Sequence, residues 1–202
     1  MNNEISIPAN VNEYYNKGLL ALEKKNYDYA IELFSQALLL RKNFPEARHY
    51  LHLSAQRKIT ERPPALFNVI FNKLQNYIFL MKAILLDTRK LFSLAINEYE
   101  KILRSDPMNI YVLNRLAQNL LKENDAASAL KILEEIKTID PHNLNALKYL
   151  GQLYSQMDNY SEARQSYEAI LKIRPHDAEA EKGIKNLDAL GAIRESFGQT
   201  KE

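Results

Sequence analysis

The feature that most constrains this chain is a 34-residue period that recurs three times between residues 76 and 175. Ala95, Ala129 and Ala163 keep that interval, as do Tyr99, Leu133 and Tyr167, then Ile102, Ile136 and Ile170. Pro107, Pro141 and Pro175 close the units in Asp-Pro, Asp-Pro and Arg-Pro. A fixed period of this length marks a stacked array of supersecondary units, and it outranks local signals.

Within each unit the apolar residues fall at helical spacing. The clearest stripe is Ala30, Ile31, Phe34, Ala37 and Leu38, at i, i+1, i+4, i+7 and i+8. With 5 Gly and 7 Pro in 202 residues there is little turn chemistry for strands and hairpins. The expected fold is therefore all-α, a right-handed α-solenoid of stacked antiparallel helix hairpins. About five units are expected, near 11–44, 45–75, 76–109, 110–143 and 144–177, followed by a capping helix over 178–190. Residues 1–10 and 191–202 read as flexible tails, with Gly191 ending the last helix. Asp28 is the expected N-cap of the second helix, and each closing proline is expected to start the next helix.

The second unit is irregular. Ala30 and Ala95 are 65 residues apart, three short of two periods, and Pro63-Pro64 interrupts any helix there. From Ala65 to Leu86 the chain is unusually apolar, and the register leaves open whether it is one helix or two broken near Asn76. Asn68, Asn72, Lys73, Asn76 and Lys82 interrupt it, so no run approaches the ~18–20 apolar residues of a membrane span.

Lys+Arg 27 against Asp+Glu 25 leaves +2, which gives no electrostatic argument for nucleic acid. Zero cysteines exclude disulfides, thiolate metal sites and cysteine nucleophiles. The polar start lacks the apolar core of a signal peptide, so cytoplasm is the expectation.

The sequence resembles the tetratricopeptide-repeat superfamily. Leu150-Gly151, Tyr154, Ala163, Tyr167, Ile170 and Pro175 carry that pattern, and so do Leu116-Ala117, Leu120, Ala129, Leu133, Ile136 and Pro141. Gly18, Ala21, Ala30, Phe34 and Ala37 match in the first unit, although Lys17 stands where Leu is usual. Small residues at Gly18, Ala117 and Gly151 are expected to let paired helices approach, with the large ones filling the space between hairpins. A lone hairpin cannot bury both faces, so stability comes from neighbour interfaces.

The resemblance implies a non-catalytic scaffold that holds an extended peptide in a concave groove lined by the first helix of each hairpin. Groove positions so placed are Asn114, Lys148 and Lys182; Arg115 and Tyr149; Gln118, Gln152 and Asn186; Tyr111 and Asn145 at one edge; Lys122 and Gln156 at the other. Asn and Gln both donate and accept, which suits a peptide backbone, and the cations favour an acidic or C-terminal carboxylate segment. Some family members clamp a chaperone C-terminus with a fixed Lys/Asn/Lys/Arg set. Here Tyr15 and Leu19 occupy its first places, so that function is not carried over.

Two rival readings stand beside it. Tyr77, Leu80, Met81 and Ile84 form an apolar patch if exposed, which would suit self-association or a membrane surface; apolar periodicity more often means core, with the second unit folded over it. Glu46, His49 and His52 are the only motif suggestive of a metal-dependent enzyme, and the second Glu-x-x-His such a site needs is missing. His142 and His176 follow repeat prolines and read as turn residues. No cofactor is expected.

Overall fold

The computed structural model describes residues 9–198. Among them are ten helices and no strand: α1 Ala9–Glu23, α2 Tyr27–Leu40, α3 Pro45–Glu61, α4 Leu66–Thr88, α5 Phe92–Leu103, α6 Ile110–Lys122, α7 Ala126–Ile139, α8 Leu144–Gln156, α9 Tyr160–Ile173 and α10 Ala178–Gly198. The fold is an all-α helical repeat. It divides into two compact units, Met1–Ile132 and Leu133–Glu202, with the boundary inside α7.

In the first unit α1 packs on α2 and α2 on α3, while α4 packs on α5 and α5 on α6. The α1–α3 core gathers Val11, Leu22, Ala30, Phe34, Ala37, Phe44 and Leu51, all buried. In the second unit α8 packs on α9, and α10 covers both. Its core is Leu147, Ala163, Tyr167, Ile170, Ala180 and Leu187. The outer positions Glu181, Lys185 and Asp188 of α10 are exposed, as a helix closing the end of an array requires.

The tight approach of helices rests on missing side chains. A Cβ on Gly151 would stand 2.6 Å from the Tyr167 ring, and one on Gly183 equally close, so that ring lies between two glycines. Gly18 admits Phe34 in the same way, at 2.7 Å. The hairpin turns repeat a second device. Lys25, Lys90, Asn124 and Asp158 all have φ between 55 and 60°, in the left-handed region, and their intervals of 65, 34 and 34 follow the sequence register.

Several expectations are corrected. Asn26, not Asp28, holds the N-cap position of α2, and Asp28 lies in its first turn. Pro45 does open α3, but Pro107, Pro141 and Pro175 sit in turns ahead of their helices. Polar side chains cap there instead: Asn109 accepts from the Val112 N–H, Asn143 from Ala146 and Asp177 from Ala180. The last helix passes Gly191 and runs to Gly198, because one glycine costs a helix only about 1 kcal/mol. The proposed tails overlap α1 at residues 9–10 and α10 at 191–198; their remainders, 1–8 and 199–202, lie outside the described residues.

The largest correction concerns α4. It is one continuous helix of 23 residues, joining what the register assigned to the second and third units. No break occurs at Asn76, which answers the question that the register leaves open. Nor does the second unit fold over the apolar side: only Ala83 and Asp87 of α4 are buried. Tyr77 and Met81 are exposed, and Leu80 and Ile84 are half-buried. Contrary to the reading of interrupted runs, α4 is long and apolar enough to cross a membrane by length and composition alone. Its last turns nonetheless carry the buried Asp87, and it packs along α5.

Candidate functional site

Amphipathic packing decides which side of each first helix is free. In α6, Val112, Leu113, Leu116, Ala117 and Leu120 turn inward, which leaves Tyr111, Asn114, Arg115, Gln118 and Lys122 toward the opposite side. In α8, Ala146, Leu147, Leu150, Gly151 and Leu153 are buried, while Asn145, Lys148, Tyr149, Gln152 and Gln156 keep solvent access.

On the first unit's surface, partners inside the chain already engage several of these groups. Arg115 pairs with Asp87 and donates from Nε to the Tyr99 hydroxyl at 3.3 Å. Lys122 Nζ reaches the other Asp87 oxygen at 3.2 Å and lies 4.5 Å over the Phe92 ring. Asn119 Nδ2 also donates to Asp87, at 3.2 Å. Burial pushes Asp87 up, but the bonds from Asn119 and Lys122 and the charge of Arg115 outweigh it and hold the carboxyl below the usual range. Asn114 folds back, its Nδ2 donating to the Ile110 carbonyl at 2.9 Å, with Oδ1 buried and unpartnered. Tyr111 is exposed and Gln118 half-buried. Arg115 and Lys122 thus brace the end of α4 as well as facing solvent. Sequence reading missed this because Asp87 lies 28 and 35 positions from its two cations.

On the second unit's surface the groups are freer. Lys148 pairs with Glu179 of α10, and Gln152 Nε2 donates to the same carboxylate at 3.0 Å. The bond to Glu179 raises the Lys148 pKa. Asn145, Gln156, Lys182 and Asn186 are exposed, and Tyr149 is half-buried. Nearby, the Tyr154 hydroxyl donates to Glu134 at 2.6 Å; burial, then that carboxylate, pushes its pKa well up. Chemically, this face offers one acid-paired cation, a second exposed lysine, an aromatic ring and four side-chain amides.

The Glu46, His49 and His52 set does not converge. His52 is buried, whereas Glu46 and His49 are exposed and His49 meets Tyr50 edge-on at 5.3 Å. His142 and His176 lie exposed in turns.

Sequence reading also missed a buried ionic cluster. Arg48 of α3 donates from Nε to Glu100 at 2.7 Å, and from Nη1 to Asp125 at 3.3 Å and Ser128 at 2.6 Å. Beside it is a cavity of about 390 Å³ between α2–α3 and α4–α5, whose lining includes Lys42, Lys82, Glu98 and Lys101. Glu98 is buried there. Its Oε1 accepts from Lys82 at 2.7 Å and Lys101 at 2.9 Å, while Oε2 is unpartnered.

Tetratricopeptide-repeat family profiles match residues 120–187 and 14–44. The chain belongs to the tetratricopeptide-repeat superfamily. Among solved structures, the first TPR domain of Spaghetti (RPAP3) bound to the HSP90 peptide SRMEEVD is 19% identical, with a TM-score of 0.53 over 58% of this chain and 93% of that one. The Sgt2 TPR domain from Aspergillus fumigatus is 20% identical, with a TM-score of 0.52 over 63% of this chain and 85% of its own. The P58(IPK) TPR domain is 18% identical, scoring 0.51 over 95% of this chain and 57% of that chain. At such identities the likeness is one of fold. No curated protein matches the chain.

Proposed function

We propose that this protein is a non-catalytic interaction scaffold that binds an extended peptide on the free faces of its first helices. The family, and a structural neighbour solved with an HSP90 peptide, support a protein-interaction role. The observation carrying the finer reading is the second unit's surface. There Asn145, Tyr149, Gln152 and Gln156 of α8 retain solvent access around Lys148, whose internal partner Glu179 sits at the surface. Amides at helical spacing satisfy the alternating N–H and C=O groups of an extended chain. A carboxylate on the ligand takes the place of Glu179 on Lys148, so acidic or C-terminal segments are the favoured class.

The test is a titration of full chain with synthetic decapeptides ending in a free acidic carboxylate, set against the same peptides amidated. Free-acid peptides should bind more tightly, and Lys148→Glu should weaken them at least tenfold while circular dichroism stays unchanged. Equal binding of acid and amide forms by wild type and variant would remove the carboxylate reading.

A further inference from the structure

α4 carries a regularly spaced apolar seam that none of the described residues of its own chain covers. Phe67, Phe71, Leu74, Ile78, Met81 and Leu85 follow one another at intervals of 4, 3, 4, 3 and 4, and all six are exposed, by 78% at Phe67 and still 50% at Leu85. That alternation is the a/d pattern by which one helix packs knobs into the holes of another. The opposite side, with Ala83 buried and Val69, Asn76 and Phe79 half-buried, is turned away from this seam.

We propose that α4 pairs with α4 of a second copy of this chain, antiparallel, about a twofold axis near residue 76. The seam positions are symmetric about that point, so Phe67 meets Leu85, Phe71 meets Met81 and Leu74 meets Ile78 of the other copy. The outer layers then set a phenylalanine ring against a smaller or flexible side chain, and the central layer sets two branched side chains together.

The flanks select the direction. One edge of the seam is apolar, with Ile70 and Tyr77 exposed and Ile84 half-buried; the other is polar, with Asn68, Gln75 and Lys82 exposed. Antiparallel pairing sets apolar edge against apolar edge and polar against polar. Parallel pairing would oppose each apolar edge to a polar one. Leu66, Ile70 and Tyr77 extend the exposed surface to nine large side chains. At half or more of their area each, they amount to on the order of 800–1,000 Å² per copy, what a standard interface buries on one partner. A bilayer is the weaker fit, because the polar edge runs the whole length of the stripe and Lys73 and Lys82 are the only cations of α4. This pairing does not depend on the peptide-binding reading.

The chain has no cysteine, so introduced ones report unambiguously. Sedimentation equilibrium of the full chain should show a concentration-dependent dimer, and Leu74→Glu should make it monomeric with unchanged circular dichroism. A short bismaleimide should link Gln75→Cys to itself. It should not link Asn68→Cys to itself, since those sites stand roughly 20 Å apart along the axis at 1.5 Å per residue, but should link a mixture of Asn68→Cys and Lys82→Cys chains. A monomer at about 100 μM, where an interface of standard size is occupied, would overturn the proposal. So would self-linking of Asn68→Cys, a Leu74→Glu dimer, or a monomer that floats with phosphatidylcholine vesicles, which would assign the seam to lipid.

Discussion

Arg48 and Glu100 stand 52 positions apart, on α3 and α5, and form an ion pair at 2.7 Å with their side chains only 4% and 10% exposed. Asp125 and Ser128 share the same guanidinium, and the Lys42 carbonyl accepts from Nη2 at 2.9 Å. This cluster ties α3 and the turn before it to α5 and the start of α7.

Removing Arg48 should therefore cost far more than a surface ion pair would. Arg48→Ala leaves Glu100 and Asp125 buried without their cation, a loss of about 3–5 kcal/mol. Urea unfolding followed by circular dichroism should show the drop. Lys17→Ala, which breaks only an exposed pair with Glu13, should leave the urea midpoint nearly unchanged, because solvent screens that pair.

The Tyr167 ring, held between Gly151 and Gly183, gives a second prediction. Gly151→Ala gains about 1 kcal/mol of helix propensity but forces the ring aside, at an overpacking cost of about 1–3 kcal/mol. Net destabilisation is expected. Tyr167→Leu should relieve it, since the preceding repeat carries Ala117 and Leu133 at the matching positions. Thermal melts of the two single variants and the double variant should show favourable coupling.

Two of the four left-handed turn residues are lysines, Lys25 and Lys90. A β-carbon there costs roughly 1–2 kcal/mol, which glycine avoids, less the entropy glycine loses on folding. Lys25→Gly and Lys90→Gly should each raise the melting temperature slightly. Asn124→Gly and Asp158→Gly should do less, because Asn and Asp tolerate this region.

Acid should weaken the α4–α6 junction. The folded Asp87 pKa is depressed, so its contribution is present above the unfolded value of about 3.9 and is lost as pH falls through the lower folded one. Glu98 acts in the same sense: burial raises it, and the bonds from Lys82 and Lys101 more than offset that. Asp87→Asn should lower stability at neutral pH and flatten its decline on acidification, read from urea midpoints between pH 6 and the acid limit.

What was legible beforehand follows from range. The 34-residue period placed the small and large residues of each regular hairpin, and Gly18, Gly151, Phe34 and Tyr167 meet as their types require. Continuity of α4 was not legible, because the absence of Pro or Gly near Asn76 is equally compatible with a sharp turn between helices. The Arg48 cluster was invisible for another reason: its side-chain partners lie 52 to 80 positions away, and single charges on a helix ordinarily read as solvated. The tie of Arg115 and Lys122 to Asp87 was equally hidden, because it spans 28 and 35 positions.

The most direct test of the scaffold reading is selection of binders from a random peptide library on the full chain, followed by affinity measurement on Lys148→Glu and on Gln152→Ala. The account predicts enriched peptides with acidic or C-terminal carboxylates that lose at least tenfold in affinity on Lys148→Glu. Enriched peptides that bind wild type and both variants alike, or no enrichment at all, would contradict it.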